Sequence, residues 1–417
     1  MDTSFSPIEN YPFLSQFLLP EDYENHQEHS DELLTQLDEV WQRNKIQSKQ
    51  THEYLAAREN VFAEVILQYY HEHYRNLVEE SLHTRNSFEI LFKNTRLLDG
   101  IIQSAFEYAF SDLSILKKRI NEDLKKEYQF SKKSLQVKNK KLSHTREEIN
   151  KLETNNDDPD QRQLYKYYNS IKVELSNEID QQNERLLKLE EQLPLIPKSE
   201  LKREFLLNNF VIFARGGYGR AELSFASDKD LGYCLDTQQL NAAEAEICRQ
   251  FIIHIEHLLR KAGIVTAHQY FEINEDLSRF KEPSTIHTIP SILESRVLLG
   301  SINLANTLKR KFFQILPYEA FVLSQIRAYE QRVVPELNQM NIKENKGGLR
   351  SLQIPLWLAA ATFGVFPSQT AEMLSLLIQK RIISPRQGFK LCQALEFFYD
   401  LRNFSATAKE FHFDDEA

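Results

Sequence analysis

Two aspartates stand one residue apart in the segment FARGGYGRAELSFASDKDLGYCLD (213–236). Side chains at positions i and i+2 of a strand project from the same face, so the carboxylates of Asp228 and Asp230 would lie side by side. Such a pair could hold one or two Mg²⁺ or Mn²⁺ ions through hard oxygen ligands. A lone Asp-x-Asp is more often a solvated strand end, and the neighbouring residues must decide between the two interpretations.

Glycines and a serine surround the aspartates. The chain has only 11 glycines in 417 residues, and Gly216 and Gly217 end a short apolar run where the backbone must turn. Amide groups exposed by this turn could cradle phosphate oxygens, and Ser227 could donate a hydrogen bond to one. Together with bound metal, this set suits nucleotidyl transfer, in which the ions neutralise triphosphate charge and activate a hydroxyl.

Basic residues flank both glycine pairs. In KENKGGLR (343–350), Lys346 and Arg350 could present positive charge to phosphates or to an acceptor. The equally weighted alternative is a capping turn whose arginine pairs with an acid. Arg220 is expected to form a buried pair with Glu222 that holds the first glycine turn, and a direct contact between Arg220 and nucleotide is the alternative.

Other residues that commonly perform chemistry carry weaker signals. His71 and His73 lie two apart on a predicted helix and so point to different faces, and we expect no metal site from this pair. The cysteines are too few and too scattered for a disulfide framework or a zinc site, which favours a reducing compartment and predicts a cytoplasmic protein. These cysteines are Cys234, Cys248 and Cys392.

The elements that position the aspartates form a small α/β module. NNFVIFARGG and DLGYCLD are strand-like, residues 242–262 form an amphipathic helix that Gly263 ends, and IVTAHQYF (264–271) is a third strand. From about residue 285 the pattern is again helical. The chain is therefore predicted to be α+β and mainly helical, with a small sheet.

Before this module the sequence predicts a helical N-terminal domain (1–111) and an antiparallel coiled-coil hairpin (112–197). Apolar residues recur three and four apart on both sides of TNNDDPDQ (154–161), which interrupts the helical pattern. The first arm is basic and the returning arm acidic, which favours their pairing; binding of a partner or nucleic acid by the basic arm is the alternative.

Composition limits the classes of function. A net charge of −9 and a pI near 5.8 make nucleic-acid coating unlikely, and 41% hydrophobic residues suffice for several packed cores. The sequence has no run of about 18 apolar residues that would span a membrane.

The motifs resemble those of a known family. Gly-Gly followed by Asp-x-Asp resembles the nucleotidyltransferase superfamily signature, in the form typical of bacterial PII-protein uridylyltransferases. IKENKGGLRSLQIPLWLAAATFG (342–364) resembles a second family block, LESRVLLGS (293–301) a family helix, and FFYDLRNFSA (397–406) a later Arg-Asn helix. The similarity runs from about residue 200 to 417.

The resemblance implies a mixed-sheet nucleotidyltransferase-like core (198–284) followed by a helical domain (285–417). It implies Mg²⁺-dependent transfer of UMP or AMP from a nucleoside triphosphate to an acceptor hydroxyl on a protein. It does not imply nucleotide removal or glutamine sensing, because the sequence lacks the His-Asp pair of the hydrolase domain.

Several positions depart from the family pattern. Phe271 occupies the place of an arginine in the third strand, Ser351 replaces an aspartate, and Glu272 is the candidate for a third carboxylate. A catalytically weakened protein that binds nucleotide as a signal, with the hairpin engaging a partner, is therefore the second hypothesis. A scaffold with no nucleotide role is the third.

Overall fold

The chain, seen in a computed structural model, is described over residues 11–15, 27–44, 51–84, 86–153, 159–192, 202–225, 227–282, 285–332 and 341–413. The described part is mostly helical and contains one small mixed sheet, which confirms the predicted α+β class. Two compact units are present. One comprises the ranges 1–111, 202–239 and 251–417, and the other comprises 112–201 and 240–250.

Helices account for most of the described residues. In chain order they are α1 (Pro12–Ser15), α2 (Gln27–Asn44), α3 (Thr51–His83), α4 (Ser87–Ser111), α5 (Leu113–Glu153), α6 (Pro159–Gln192), α7 (Arg203–Asn209), α8 (Gly216–Gly219), α9 (Ala242–Lys261), α10 (Ile289–Leu293), α11 (Ile302–Ile315), α12 (Tyr318–Glu330), α13 (Leu349–Phe363), α14 (Thr370–Gln379) and α15 (Pro385–Phe413). Short 3-10 turns occupy Ser278–Lys281 and Ile286–Thr288.

Helix α4 is the buried helix of the N-terminal region. It begins after Asn86, whose side chain accepts a hydrogen bond from the Glu89 N–H at 3.3 Å, as N-cap residues do. Its aromatic residues Phe88, Phe106 and Tyr108 are buried. Because nearly all of α4 is enclosed, it packs in the interior rather than along the surface.

The sheet has strand order β3-β2-β1-β4. Its strands are β1 (Phe210–Ala214), β2 (Lys229–Leu235), β3 (Thr266–Glu272) and β4 (Arg296–Gly300). Strand β1 is antiparallel to β2 and β4, whereas β2 and β3 are parallel and are joined by α9. The three predicted strands are confirmed, as is the end of the intervening helix at Gly263, which has a φ of +74°.

Strand β4 corrects the prediction that the segment 293–301 is helical. Helix α10 ends at Leu293, and the next residues pair with β1, with Ala214 opposite Arg296 and Val211 opposite Gly300. A run as short as Val-Leu-Leu fits a helix or a strand equally well. Its conformation is therefore determined by hydrogen bonding to the edge of β1. At Gly300, φ is +95° and a Cβ would lie 2.2 Å from the Phe210 carbonyl oxygen, so only glycine fits.

Beneath the sheet lies an apolar cluster that the C-terminal helices complete. It contains the sheet residues Phe213 and Phe271, the 3-10 residue Phe280 and the helix residues Phe312 and Trp357. The rings of Phe271 and Phe312 meet edge to face with centroids 5.4 Å apart. The sheet is thus fixed by aromatic packing on this side.

Helices α5 and α6 lie in the second unit and run antiparallel. Arg185 pairs with Glu127 at 2.7 Å, and Glu178 pairs with Lys138 at 3.0 Å, so the numbering falls along one helix as it rises along the other. Residues 154–158, where the sequence predicts the break, lie outside the described residues. Coiled-coil packing in the strict sense stays a prediction. The buried apolar residues of the two helices include Leu116, Ile120, Leu142, Ile149, Ile179, Leu186 and Leu189.

In the part of the chain that the structure describes, no helix combines the length and apolar character needed to cross a bilayer.

Candidate functional site

A tight turn follows β1 and brings the first glycines against β2. The Arg215 N–H donates to the Asp230 carbonyl at 2.9 Å, and helix α8 begins immediately afterwards. Gly216 has a φ of +55°, and a Cβ at this position would lie 3.3 Å from the Asp230 carboxylate. At Gly219 a Cβ would be 2.8 Å from the Ala214 carbonyl oxygen. Both glycines are therefore needed for the backbone to pass this close to the strand.

Both aspartates lie at the start of β2, beside this turn. Asp228 is exposed, and the Asp230 side chain is 33% exposed. Burial raises the pKa of Asp230, Arg215 opposes the rise with its guanidinium 3.9 Å away, and Asp228 adds to it. Two accessible carboxylates near each other form an oxygen donor set that fits Mg²⁺.

Cations from three separate elements act on these carboxylates. Lys343 comes from the loop before α13, Arg350 from α13 and Arg402 from α15. The positive charges of Lys343 and Arg350 lower the pKa of Asp230. The negative charge of Asp228 raises the pKa of Lys343 and of Arg402. These groups therefore lie within electrostatic range of one another. The site thus combines two acids with basic groups that interact with them electrostatically.

The second glycine pair positions Lys343. The loop closes on itself through two hydrogen bonds, from the Leu349 N–H to the Ile342 carbonyl and from the Arg350 N–H to the Lys343 carbonyl, both 3.0 Å. A Cβ at Gly348 would lie 2.5 Å from the Ile342 carbonyl oxygen, so this closure depends on glycine. Lys343 and Arg350 are consequently fixed relative to each other.

Lys346 was predicted to present its charge to phosphates together with Arg350, but it lies beside Tyr329. Its side chain is exposed, with the ammonium 5.8 Å from the centre of the Tyr329 ring. Lys343 is the lysine whose charge acts on both aspartates. Lys343 was not among the predicted site residues, although it begins the segment KENKGGLR that contains Lys346.

Arg402 and Arg215 were also missed. Arg402 lies in the FFYDLRNFSA segment, and the neighbouring Asn403 accepts a hydrogen bond from the Phe225 N–H at 3.3 Å. Arg215 precedes the glycine pair and donates to the Gln269 side chain at 2.8 Å. Arg402 could have been noticed because it lies in a segment that resembles a family motif. No pattern in the residues around it connects it to the aspartates, however.

Ser227 lies half-buried immediately before Asp228. Its hydroxyl is 3.1 Å from the Ser224 hydroxyl, and its N–H donates to the Ser224 carbonyl at 2.9 Å. These contacts fix the approach to β2. The predicted hydrogen bond from Ser227 to phosphate stays a prediction.

Arg220 forms the predicted buried pair. Its Nε donates to Glu222 at 2.7 Å, its Nη1 donates to Glu294 at 3.0 Å, and the Tyr399 hydroxyl also donates to Glu222 at 2.5 Å. Burial opposes the charge of Arg220, but the two carboxylates raise its pKa well above the ordinary value. The guanidinium thus ties the end of the glycine turn to the C-terminal cap of α10 and, through Glu222 and Tyr399, to α15. Direct contact of Arg220 with nucleotide stays a prediction.

A second buried pair holds the other side of the turn. Asp99 of α4 accepts a hydrogen bond from the Tyr218 hydroxyl at 2.6 Å and pairs with Arg296 of β4 at 2.7 Å. The glycine turn is therefore anchored to the N-terminal helices and to the edge strand together.

The third strand does not supply the expected third carboxylate. In the parallel register, Ala267 lies opposite Asp230, whereas Glu272 lies opposite Leu235 at the far end. The separation along the strand is five residues, or roughly 17 Å. Glu272 is therefore too far from Asp230 to serve as a third carboxylate, and this candidate is wrong. Phe271, at the place of the family's arginine, is fully buried in the aromatic cluster.

Comparison with known proteins adds to this geometry. The family model described as GlnD PII-uridylyltransferase matches residues 320–404, the segment that contributes Lys343, Arg350 and Arg402. The bifunctional uridylyltransferase/uridylyl-removing enzyme of Azospirillum brasilense is 28% identical over 201 residues, which is 46% of this chain and 20% of that protein.

Two further relatives carry the same name. The protein of Pseudoalteromonas translucida is 31% identical over 202 residues, covering 46% of this chain and 22% of the relative, and that of Caulobacter vibrioides is 33% identical over 156 residues, covering 36% and 16%. The chain thus matches about a fifth of the length of these enzymes. The resemblance to PII uridylyltransferases that the motifs indicate is confirmed.

Proposed function

We propose that this chain carries a Mg²⁺-dependent nucleotidyltransferase site that moves UMP or AMP from a nucleoside triphosphate to a hydroxyl of an acceptor protein. The observation that carries this proposal is the pair Asp228 and Asp230, set beside a glycine turn and within electrostatic range of cations from three elements. Carboxylates alone would suit a metal, and cations alone would suit an anion. Their combination suits a metal-bound triphosphate.

Each group has a role in this proposal. Asp228 and Asp230 hold the metal, which when bound neutralises phosphate charge and acidifies the attacking hydroxyl. The amides of Gly216 and Gly217 and the Ser227 hydroxyl orient the triphosphate. The acceptor oxygen attacks the α-phosphorus, the bond to the β-phosphate oxygen breaks, pyrophosphate leaves, and the hydroxyl proton passes to solvent.

The basic groups contribute to triphosphate binding through their positive charge. Burial lowers the pKa of Lys343, and Arg350 and Arg402 lower it further. Burial likewise lowers the pKa of Arg350 and Arg402 themselves. Positive charges held together in this way repel one another, and a triphosphate would relieve that repulsion. Binding of a polyanion is therefore favoured even though the chain as a whole is acidic.

The location of the protein belongs to the same proposal. All three cysteines are buried and unpaired. Burial raises the pKa of Cys234 to about 12, so this thiol is inert rather than catalytic. We propose a reducing compartment, the cytoplasm, as the site of action.

The test uses the full chain in lysate of its source cells with Mg²⁺ and each labelled nucleoside triphosphate in turn. Label transferred from one triphosphate to a protein, with pyrophosphate released in equal amount, supports the proposal and names both nucleotide and acceptor. Absence of transfer and of pyrophosphate with every triphosphate contradicts it.

The two lysines of the second glycine segment should differ in their effect on binding. We expect Lys343→Ala to weaken the binding of a Mg²⁺-triphosphate by about tenfold, because the variant loses one charge-assisted contact between the lysine ammonium and a phosphate. Lys346→Ala is the matched control and should leave the affinity unchanged, because Lys346 lies exposed beside Tyr329. Calorimetric titration measures both. Equal losses in the two variants would contradict this assignment of Lys343.

A second function, nucleotide binding as a regulatory signal, is favoured by two observations on the third strand. Beside Asp230 the third strand offers Ala267, and Phe271 is buried in place of an arginine. A site with two carboxylates could bind a metal-triphosphate and turn over poorly. Calorimetry separates the two functions: heat of binding without pyrophosphate release in the presence of lysate favours the regulatory function.

A further inference from the structure

A second group of potential metal ligands lies far from the aspartates in sequence, between α2 and α3. His29 and Glu32 come from α2, and His73 comes from α3. One ligand atom from each of the three residues lies within 4.8 Å of the others. The two imidazole rings stand at 88° with their centres 5.5 Å apart. Separations of this size allow one ion to contact all three after small side-chain rotations.

The hydrogen bonds around Tyr69 fix which nitrogen of each ring is available. The Nδ1 of His73 lies 3.0 Å from the Tyr69 carbonyl, which only accepts, so this nitrogen carries a proton. The Tyr69 hydroxyl donates to Glu32 at 2.8 Å, so the Nδ1 of His29, 2.8 Å from that hydroxyl, is also the donor. Each ring is then left with the lone pair on Nε2.

This hydrogen-bond pattern is typical of metal-binding histidines. A ligating imidazole typically donates its other N–H to a carbonyl or a similar acceptor, which fixes the tautomer and orients the ring. The Tyr69 ring also stacks on His73 with centroids 3.9 Å apart and restricts its rotation.

Charge and exposure agree with a metal site. Glu32 is exposed, and the second contact of its carboxylate is a long bond of 3.4 Å from the Gln36 amide. An incoming cation would displace only this weak contact.

We propose that His29, Glu32 and His73 bind one transition-metal ion of the zinc class, with a fourth position open to water. Two imidazoles and one carboxylate are a ligand set that suits Zn²⁺ and disfavours Mg²⁺. The ion would join α2 to α3. This site is separate from the nucleotide site and does not depend on the proposed transferase function.

The test is titration of the metal-free full chain with ZnCl₂, followed by calorimetry, and with CoCl₂, followed by its visible absorption. The expected result is one high-affinity site that excess Mg²⁺ does not occupy. His29→Gln and His73→Gln should each weaken Zn²⁺ binding at this site by at least about 100-fold. The intense Co²⁺ absorption of a tetrahedral site should disappear in both.

Two controls distinguish this site from others. His71→Gln alters an exposed histidine two residues from His73 and should bind Zn²⁺ like the original chain. Asp228→Asn should do the same, which separates this site from the aspartate pair. Zn²⁺ should raise the thermal midpoint of both controls and not that of His29→Gln. If His29→Gln and His73→Gln, with unchanged helix content, bind Zn²⁺ as tightly as the original chain, the proposal is overturned.

Discussion

Asp228→Asn and Asp230→Asn, each made singly, are expected to reduce Mg²⁺-dependent nucleotide incorporation by about 10³-fold or more. An amide keeps the size of the carboxylate but removes the charge that holds a divalent ion. The measurement is labelled nucleotide transferred per minute at saturating Mg²⁺. Folding should not suffer, because burial raises the pKa of Asp230 and its ionised form therefore opposes folding at neutral pH.

Glu272→Gln is the matched control for this pair. It makes the same chemical change on the same sheet, but at the opposite end of the parallel register from Asp230. Incorporation by Glu272→Gln should equal that of the original chain. If Asp228→Asn and Asp230→Asn both retained full incorporation, the proposed transferase site would be excluded.

Arg220→Met is expected to cause the largest loss of stability, about 3–5 kcal/mol in the free energy of unfolding. The substitution keeps a long apolar stem but leaves Glu222 and Glu294 buried without their cation. Urea unfolding followed by circular dichroism measures the loss. A direct role of Arg220 in nucleotide binding alone would leave stability nearly unchanged, so the same measurement separates the two roles.

The loss should depend on pH in a defined direction. Burial already raises the pKa of Glu294, and removal of Arg220 raises it further. A carboxyl whose pKa is raised by folding destabilises the protein above its unfolded pKa, so Arg220→Met should recover part of its stability as the pH falls toward that value. Arg43→Met, which breaks the exposed pair with Glu39, is the control and should cost about 1 kcal/mol or less. A loss in Arg220→Met that grew on acidification would contradict this explanation.

The sequence predicted the local parts of the fold well. The strands that flank the glycine turn, the long helix after them and its end at Gly263 all depend on short patterns of apolar residues and glycine. Strand β4 was mistaken for helix because its conformation comes from pairing with β1, more than 80 residues earlier. No local pattern in Arg296–Gly300 carries that information.

The site was predictable to the same extent. Gly216 and Asp230 lie close together, because they stand on adjacent strand ends joined by a short turn. The joint role of Asp228 and Asp230 in binding metal stays a prediction. The choice between Lys343 and Lys346 depended on how the loop closes around Gly348, which residue spacing does not determine. Arg402 reaches the aspartates only through the packing of α15.

The histidines illustrate the same limit. From the sequence, His73 could be considered only together with its neighbour His71, and their spacing on one helix points the two side chains in different directions. The residues that meet His73 belong to α2, more than 40 positions earlier. Contacts between helices of this kind cannot be obtained from the spacing along one of them.

The position of β4 has a consequence for any attempt to isolate the sheet. A polypeptide that stops near residue 284, where the sequence suggests a domain boundary, would lack Arg296–Gly300. One whole side of β1 would then present unpaired N–H and C=O groups next to buried apolar residues. Exposed edges of this kind recruit strands from other molecules, so such a shortened polypeptide should self-associate into aggregates rather than remain a monomer.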